Sequence, residues 1–264
     1  MSSTPLPSST IIIARNNTLE KHIEIFMVVR HHQIDFAAGA LVFPGGKVSA
    51  HDYDLQIRDH CSGHAPDDEK QLALQVAAIR EAYEESGILL ARNKIDASLV
   101  SNKDLEKFHP YRTMLQKNVC SMAEFMIKEN LILALDTLHH FAHWITPSMM
   151  PKRFDTHFYL AQAPTGQLGF HDGSESVDSL WISPQQALQR ADEGSLKIIF
   201  PTRMNLMRLA QYASVEAAIE DTLRQPVVSI MPWTEGKPAG VMLCIPENAG
   251  YEVTEVPIEV VMRS

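Results

Sequence analysis

The sequence is poor in cysteine and has no long apolar run. Its 264 residues contain three cysteines, Cys61, Cys120 and Cys244, which are far apart and odd in number. Because no CxxC or Cys/His zinc pattern accompanies them, we expect a reduced, cytoplasmic protein and not a disulfide scaffold. No apolar run approaches the roughly 18 residues of a membrane span, and residues 1–10 lack the basic region of a signal peptide. The sequence therefore predicts no membrane partner.

The sequence also lacks an excess of positive charge. Its 23 lysines and arginines are outnumbered by 32 aspartates and glutamates, which gives a formal net charge of −9. A general nucleic-acid binder needs a basic surface, so nucleic acid is not an expected partner. A small phosphorylated substrate stays compatible with this charge, because metal ions can supply positive charge locally. The length and the hydrophobic share of 45% fit one large domain or a domain with additions.

One acidic stretch, residues 80–88, carries the most specific chemical signal. Its sequence is Arg-Glu-Ala-Tyr-Glu-Glu-Ser-Gly-Ile. On a helix, Glu81, Glu84 and Glu85 share one face and repel one another. They also fall near the predicted helix C-terminus, where the helix dipole disfavours negative charge. Two interpretations follow: a solvated acidic surface, or a site where a divalent cation neutralises the carboxylates.

The surrounding pattern predicts this helix and a chain that mixes strands and helices. Apolar residues recur at helical spacing from Leu72 to Tyr83, and Gly87 is a suitable C-cap, so a helix is expected over residues 68–86. β-Branched and aromatic runs predict strands. The predicted strands are 10–15, 23–30, 38–43, 143–147, 151–161, 176–183, 227–231 and 241–245. The later predicted helices are 184–191, 205–212 and 215–224.

A glycine turn lies upstream of the acidic stretch, and the two together resemble the Nudix box. Residues 41–48 are Leu-Val-Phe-Pro-Gly-Gly-Lys-Val, so Gly46 matches the opening glycine of the box. Asp52 stands where the first acid of the box belongs, and the second half of the box is intact from Arg80 onward. Between Asp52 and Arg80 there are 27 residues, about 20 more than in the box, so the box is split by an insertion at 51–70.

The resemblance covers most of the chain and is closest to the peroxisomal coenzyme A diphosphatase-like branch of the Nudix hydrolases. The matching segments are 39–46, 144–147, 151–156, 171–175, 201–206 and 246–252. It implies an α/β fold: a Nudix α/β/α sandwich with a mixed β-sheet, plus an inserted helical segment and a C-terminal extension. The expected Nudix domain spans 8–203, with a helical insert at about 97–140. Residues 204–264 are expected to form a helical and strand extension packed on it.

The resemblance also implies a hydrolase of nucleoside diphosphates linked to another group, with Mg²⁺ or Mn²⁺ as cofactor. Glu81 and Glu85 are the expected direct ligands, and Glu84 would bind directly or through water. The backbone carbonyl of Gly46 would add a ligand. Such an ion neutralises the diphosphate and lowers the pKa of a bound water.

Further site residues follow from the same resemblance. Arg80 is expected to orient a glutamate through a charge-assisted bond, so Arg80, Glu84 and Glu85 are the catalytic candidates of the box. Glu175 is the candidate general base, with a solvated loop acid as the alternative. The candidates for binding the 3′-phosphate of CoA are Arg30, Lys152, Arg153 and Arg203, each with a surface or structural charge as the alternative. The paired histidines His31, His32, His139, His140 and His143 complete no ligand set at zinc spacing and favour polar surface positions.

The implied activity is a CoA or acyl-CoA diphosphatase that gives 3′,5′-ADP and (acyl)phosphopantetheine. One alternative is a diphosphatase of NADH, ADP-ribose or dinucleotides, and another is a nucleotide-sensing Nudix domain without catalysis. The intact Glu81, Glu84 and Glu85 favour an enzyme. The aspartate at position 52 and the long insertion depart from the box, so the hypothesis of a nucleotide sensor stays open. The expected partners are a small nucleotide substrate and, because dimers are common for this fold, a second copy in a homodimer.

Overall fold

The computed structural model describes residues 3–17, 19–20, 22–31, 37–63, 65–173, 176–238 and 240–262. Its strands are β1 (Leu6–Asn17), β2 (His22–Arg30), β3 (Leu41–Val42), β4 (Gly45–Lys47), β5 (Ala91–Asn93), β6 (Leu131–Leu133), β7 (His139–Ile145), β8 (Phe154–Gln162), β9 (Ser176–Ile182), β10 (Ser229–Ile230), β11 (Trp233–Lys237), β12 (Gly240–Cys244) and β13 (Glu255–Pro257). Its α-helices are α1 (Glu69–Ser86), α2 (Asn102–Gln116), α3 (Met122–Lys128), α4 (Pro184–Asp192), α5 (Phe200–Leu209), α6 (Val215–Arg224) and α7 (Ile258–Met262).

Eight strands form one mixed sheet. Six of them follow the order β10–β7–β8–β1–β2–β3, while β4 pairs with β1 and β9 pairs with β2. The pairs β1–β8 and β7–β10 are parallel, and the other pairs are antiparallel. β1 and β2 pair as an antiparallel hairpin. β1 is longer than its β-branched run indicated, because its first residues pair with β8 on one side and β4 on the other.

Helices cover both faces of this sheet. Along β1, Ile11 and Ile13 point into the core that contains α1. Ile12 and Ala14 point into the core that contains α5 and α6. This alternation follows the two-residue period of a strand. The predicted fold class, an α/β/α sandwich around a mixed sheet, is confirmed.

Helix α1 begins and ends within one residue of the expected bounds 68–86. The N-cap Asp68 accepts a hydrogen bond from the N–H of Gln71 at 2.9 Å. Gly87 follows the helix with a φ of 70°, a left-handed conformation that favours glycine. The apolar stripe from Leu72 to Tyr83 is buried in the core. Packing of this stripe fixes where the acidic last turns of α1 lie.

The inserted segments are only partly helical. Residues 51–70 contain two 3₁₀ helices, Ala50–Tyr53 and Leu55–His60, ahead of α1. In the predicted helical insert, the α-helices end at Lys128. Residues 131–133 are instead a strand, because they pair with β5 while the side chains of Leu131 and Leu133 enter the core.

The C-terminal segment contributes to the main sheet as well as to a small sheet of its own. β10 pairs with β7, and β11, β12 and β13 form a three-stranded antiparallel sheet. Tyr251 packs edge-on against Trp144 and donates a hydrogen bond to Asn205 at 2.6 Å. The division of the chain at residue 203 stays a prediction.

Among the described residues, no helix is both long and apolar enough to span a bilayer, and the cytoplasmic location also stays a prediction.

Candidate active site

The three glutamates of the acidic stretch lie in the last two turns of α1 and are buried. Glu81, Glu84 and Glu85 are 8%, 9% and 5% exposed. A solvated acidic surface, one of the two interpretations of the sequence, is therefore wrong. Buried carboxylates are costly unless hydrogen-bonded or neutralised, so their partners define the site.

Arg80 is the central partner of these acids. Its Nε and Nη2 donate to the two carboxylate oxygens of Asp52 at 2.8 and 3.0 Å. Its Nη1 donates to Glu81 at 2.8 Å and to Glu84 at 3.2 Å, and Nη2 also reaches the carbonyl of Lys47. Forked bonds between a guanidinium and carboxylates are strong and directional. Arg80 therefore joins the first acid, Asp52, to the helical half of the box despite the insertion between them.

The charges of this cluster do not balance. Burial alone would lower the pKa of Arg80, but Glu81, Asp52 and Glu84 outweigh it and raise the pKa above its usual value. Burial raises the pKa of Glu84 to about 7 against the opposing pull of Arg80, and Glu81 adds to the rise. With Glu85 included, one guanidinium stands among four carboxylates. A divalent cation would bring the cluster close to neutrality.

The two glycines of the predicted turn, Gly45 and Gly46, lie in strand β4, which brings their backbone atoms directly against the glutamates. β4 pairs with β1, and the N–H of Gly45 donates to Glu85 at 3.1 Å. A Cβ on Gly46 would lie 2.5 Å from Oε1 of Glu81, so any larger residue would displace this carboxylate. Carboxylate and carbonyl oxygens are the donors that Mg²⁺ and Mn²⁺ prefer. The residues present therefore fit the expected cofactor.

Two residues of α2 hold the acidic end of α1, and no sequence pattern indicated them. Arg112 donates to the carbonyl of Glu84 and to the carbonyl of Phe170, both at 2.8 Å. Gln116 donates to the same Glu84 carbonyl at 3.1 Å. The last carbonyls of a helix have no partner inside it, so these side chains satisfy that of Glu84 and fix the turn that carries the glutamates.

Two of the predicted phosphate-binding arginines are already engaged within the protein. Arg153 is buried and donates to the carbonyls of Thr146 and Ser3 at 2.9 and 2.8 Å. Arg203 lies on α5 and pairs with Asp192 at 2.5 Å. Because α5 packs on the face of the sheet opposite α1, the sheet separates Arg203 from the box glutamates.

The other two candidate cations differ in exposure. Lys152 is exposed, and its Nζ lies 5.9 Å from the centroid of the Phe154 ring. Arg30 ends β2, and its buried Nε has no hydrogen-bond partner within the described parts of the chain. Arg30 pairs with Ser176 at the start of β9, which directly follows the predicted base Glu175. Glu175 itself lies outside the described residues.

Comparisons with known proteins place this chain in a family. The model of the NUDT19 Nudix domain matches residues 55–209, more than half of the chain. A Xenopus laevis protein named acyl-coenzyme A diphosphatase NUDT19 is 23% identical over 240 residues, covering 76% of this chain and 63% of the relative. The putative nudix hydrolase 7 of Caenorhabditis elegans is 28% identical over 204 residues, covering 77% of this chain and 60% of the relative.

A solved structure shares the architecture. The crystal structure of a NUDIX hydrolase from Alicyclobacillus acidocaldarius matches with a TM-score of 0.71 and 26% identity, over 83% of this chain and 96% of that one. The curated relatives are longer, since the chain spans 47% to 63% of their length. The Nudix resemblance of the sequence is confirmed, and the chain belongs to the NUDT19 Nudix domain family.

Proposed function

We propose that the chain is a divalent-metal-dependent diphosphatase that hydrolyses CoA or acyl-CoA to 3′,5′-ADP and (acyl)phosphopantetheine. The observation that carries this proposal is the set of four buried carboxylates beside Arg80 at the glycine turn. Buried like charges at a helix C-terminus destabilise a fold unless a cation offsets them. Relatives named acyl-coenzyme A diphosphatase support the substrate class.

The metal-binding and positioning residues of the box and one loop acid each have a proposed part in this reaction. Glu81, Glu85 and the carbonyl of Gly46 would hold Mg²⁺ or Mn²⁺, with Glu84 binding directly or through water. The ion, when bound, neutralises the diphosphate oxygens and lowers the pKa of a bound water. Arg80 positions Glu81 and Glu84 by a hydrogen bond to one oxygen of each. Glu175 is the proposed general base that takes the proton of the attacking water.

The 3′-phosphate of CoA needs a cationic contact, and Arg30 is the first candidate. Its buried Nε without a partner in the described structure offers a hydrogen bond that the fold does not use. Lys152 is exposed and can approach a phosphate from solvent. Arg153 and Arg203 also stay candidates, but each would have to exchange a partner inside the protein for the phosphate.

A substrate panel tests the proposal. The protein is incubated with Mg²⁺ and CoA, an acyl-CoA, NADH, ADP-ribose or a diadenosine polyphosphate, and the products are separated by chromatography. We expect CoA or acyl-CoA to give the highest kcat/KM. Turnover of ADP-ribose far above CoA would remove the CoA assignment and keep the diphosphatase. Binding of these nucleotides without any turnover would instead identify a sensor.

A matched substrate pair tests the phosphate contact. Dephospho-CoA lacks only the 3′-phosphate, so Arg30→Met should lower kcat/KM for CoA more than for dephospho-CoA. An equal loss on both substrates would show that Arg30 does not contact that phosphate.

The predicted homodimer is checked on the same preparations by light scattering.

A further inference from the structure

A second polar cluster lies beside the box, and the proposed diphosphatase reaction does not use it. It consists of His143, Asp155 and His157, here called the histidine cluster. Nε2 of His143 lies 2.5 Å from Oδ1 of Asp155, and Nε2 of His157 lies 3.9 Å from the same oxygen. The two imidazole rings are stacked, with centroids 4.0 Å apart. One ligand atom from each residue lies within 4.8 Å of the other two, so three metal-binding atoms converge.

A β-bulge in β7 brings His140 to the face of the sheet that carries His143 and His157. In a regular strand, side chains three residues apart point to opposite faces. In β7 the register shifts between His140 and Ala142, so that His140 pairs with Tyr159 and His143 pairs with His157. Residues 157 and 159 share a face, so His140 and His143 do as well. His157 therefore stacks between two histidines of the neighbouring strand.

Both histidines of the cluster have a polar partner at the ring nitrogen that points away from it. Nδ1 of His143 lies 2.8 Å from the hydroxyl of Ser229. Nδ1 of His157 lies 3.1 Å from Nε2 of His140. With the proton on Nδ1 in both rings, both Nε2 atoms present a lone pair to the centre of the cluster. Metal-binding histidines usually donate the N–H of this second ring nitrogen to an acceptor.

The charged groups around the cluster are compatible with a bound cation. Lys70 approaches from α1, with its Nζ 3.1 Å from Oδ2 of Asp155. Its side chain is 51% exposed, so the ammonium can move into solvent when an ion takes its place.

The histidine cluster faces the same side of the sheet as the box. His157 pairs with Ser9, and Ser9 pairs with Gly46. Two strand spacings of about 4.8 Å place His157 roughly 10 Å from Gly46. Ser9 is fully buried between them. The cluster is thus close to the box glutamates but does not share a ligand with them.

We propose that the histidine cluster binds one divalent transition-metal ion of the zinc class, separate from the ion of the box. Two imidazole nitrogens and one carboxylate suit Zn²⁺, whereas Mg²⁺ prefers oxygen donors. Bonds of about 2.0–2.1 Å in a tetrahedron place ligand atoms roughly 3.3 Å apart. The observed 2.5 and 3.9 Å lie on either side of that value. The side chains are 14% to 18% exposed, which leaves a fourth position open to water or a substrate oxygen.

The test measures metal binding after the box has been neutralised. The chain carrying Glu81→Gln and Glu85→Gln is stripped with a chelator and titrated with Co²⁺ in excess Mg²⁺. Visible absorption reports ligation of Co²⁺, and calorimetry with Zn²⁺ gives the stoichiometry. We expect one ion per chain, and a loss of affinity of about tenfold or more when His143→Ala or His157→Ala is added. His109→Ala, at an exposed histidine of α2, is the matched control and should leave the affinity unchanged.

A second measurement needs no variant to fold. In the wild-type protein saturated with Mg²⁺, imidazole ¹⁵N spectra should show Zn²⁺ shifting the Nε2 signals of two histidines and leaving His109 unchanged. Absence of Zn²⁺ binding, or binding that survives both alanine variants at full affinity, overturns the proposal. The cluster would then be a hydrogen-bonded network only. Because the probe is the metal alone, this outcome does not depend on the proposed diphosphatase activity.

Discussion

The box and the histidine cluster lie on the same face of one sheet but differ in their donor atoms and charge. In the box, Asp52, Glu81 and Glu84 contact Arg80, and Glu85 contacts Gly45. Every candidate ligand there is an oxygen. In the histidine cluster, two imidazoles meet one carboxylate. Since Mg²⁺ and Zn²⁺ differ in the donors they prefer, the fold can separate two ions over roughly 10 Å by ligand chemistry alone.

The two clusters should also differ in what happens without metal. The box keeps several carboxylates beside one guanidinium, so removal of an ion leaves uncompensated negative charge in a buried place. The histidine cluster has a single carboxylate, Asp155, which Lys70 already contacts, so removal of an ion leaves little uncompensated charge there. We therefore expect the box to respond strongly to charge-changing variants and the histidine cluster to respond weakly.

The largest expected effect is on the reaction. Glu85→Gln keeps the shape of the side chain and an oxygen that can accept from Gly45, but it removes the charge that holds the metal. We expect kcat/KM to fall about 1,000-fold while the circular dichroism spectrum stays unchanged. Glu106→Gln, at an exposed glutamate of α2, is the control. Full activity of Glu85→Gln would contradict the metal assignment, and a loss of Zn²⁺ binding at the histidine cluster would contradict the separation of the two sites.

The next effect is on stability. Arg80→Met removes a buried cation that contacts Asp52, Glu81 and Glu84. Breaking such a network typically lowers the free energy of unfolding by about 3–5 kcal/mol, and Mg²⁺ should restore part of this loss. Denaturant unfolding with and without Mg²⁺ measures both. Arg224→Met breaks an exposed pair with Glu220 and should change stability by about 1 kcal/mol at most. Equal losses in the two variants would show that Arg80 is not central to the box.

The part of the site that is local in sequence was predictable, and the part that depends on strand register was not. Arg80 and the three glutamates share one helix, so their spacing alone places them on one face. Asp68 and Gly87 mark the helix ends for equally local reasons. The Nudix resemblance then identified the glycine turn, which the structure places against the glutamates.

The histidine cluster shows why the contacts that depend on strand register and helix packing could not be predicted from the sequence. His143 and His157 become neighbours only through the pairing of β7 with β8. A regular strand would have placed His140 and His143 on opposite faces, and the bulge that brings them together has no clear sequence signal. Arg112 is similar, because its bond to the carbonyl of Glu84 depends on how α2 packs against α1. Contacts set by tertiary packing leave no fixed spacing in the chain.

A smaller effect is expected from crowding the glycine turn. Gly46→Ala places a methyl group 2.5 Å from Oε1 of Glu81, so this carboxylate must move away from its ligand position. We expect apparent Mg²⁺ affinity, measured through activity, to fall about 10–100-fold, as for other changes that misplace a metal ligand. The control is Gly236→Ala, because a Cβ there meets no atom. An unchanged Mg²⁺ dependence would show that Glu81 does not bind the ion.

The smallest expected effect is on Zn²⁺ affinity, and it tests most directly whether the box and the histidine cluster act independently. Lys70 contacts Asp155 from α1 and, in the proposed site, competes with the metal for that carboxylate. Lys70→Met removes the competing charge and keeps most of the length of the side chain. Since such partly exposed pairs are worth about 1 kcal/mol at most, Zn²⁺ affinity should rise by no more than about fivefold, while Mg²⁺-dependent turnover stays the same. Lys107→Met, which breaks an exposed pair with Asp104 on α2, should change neither quantity. A fall in Zn²⁺ affinity in Lys70→Met would mean that Lys70 positions Asp155 for the metal, and a fall in turnover would mean that the two clusters act on one substrate.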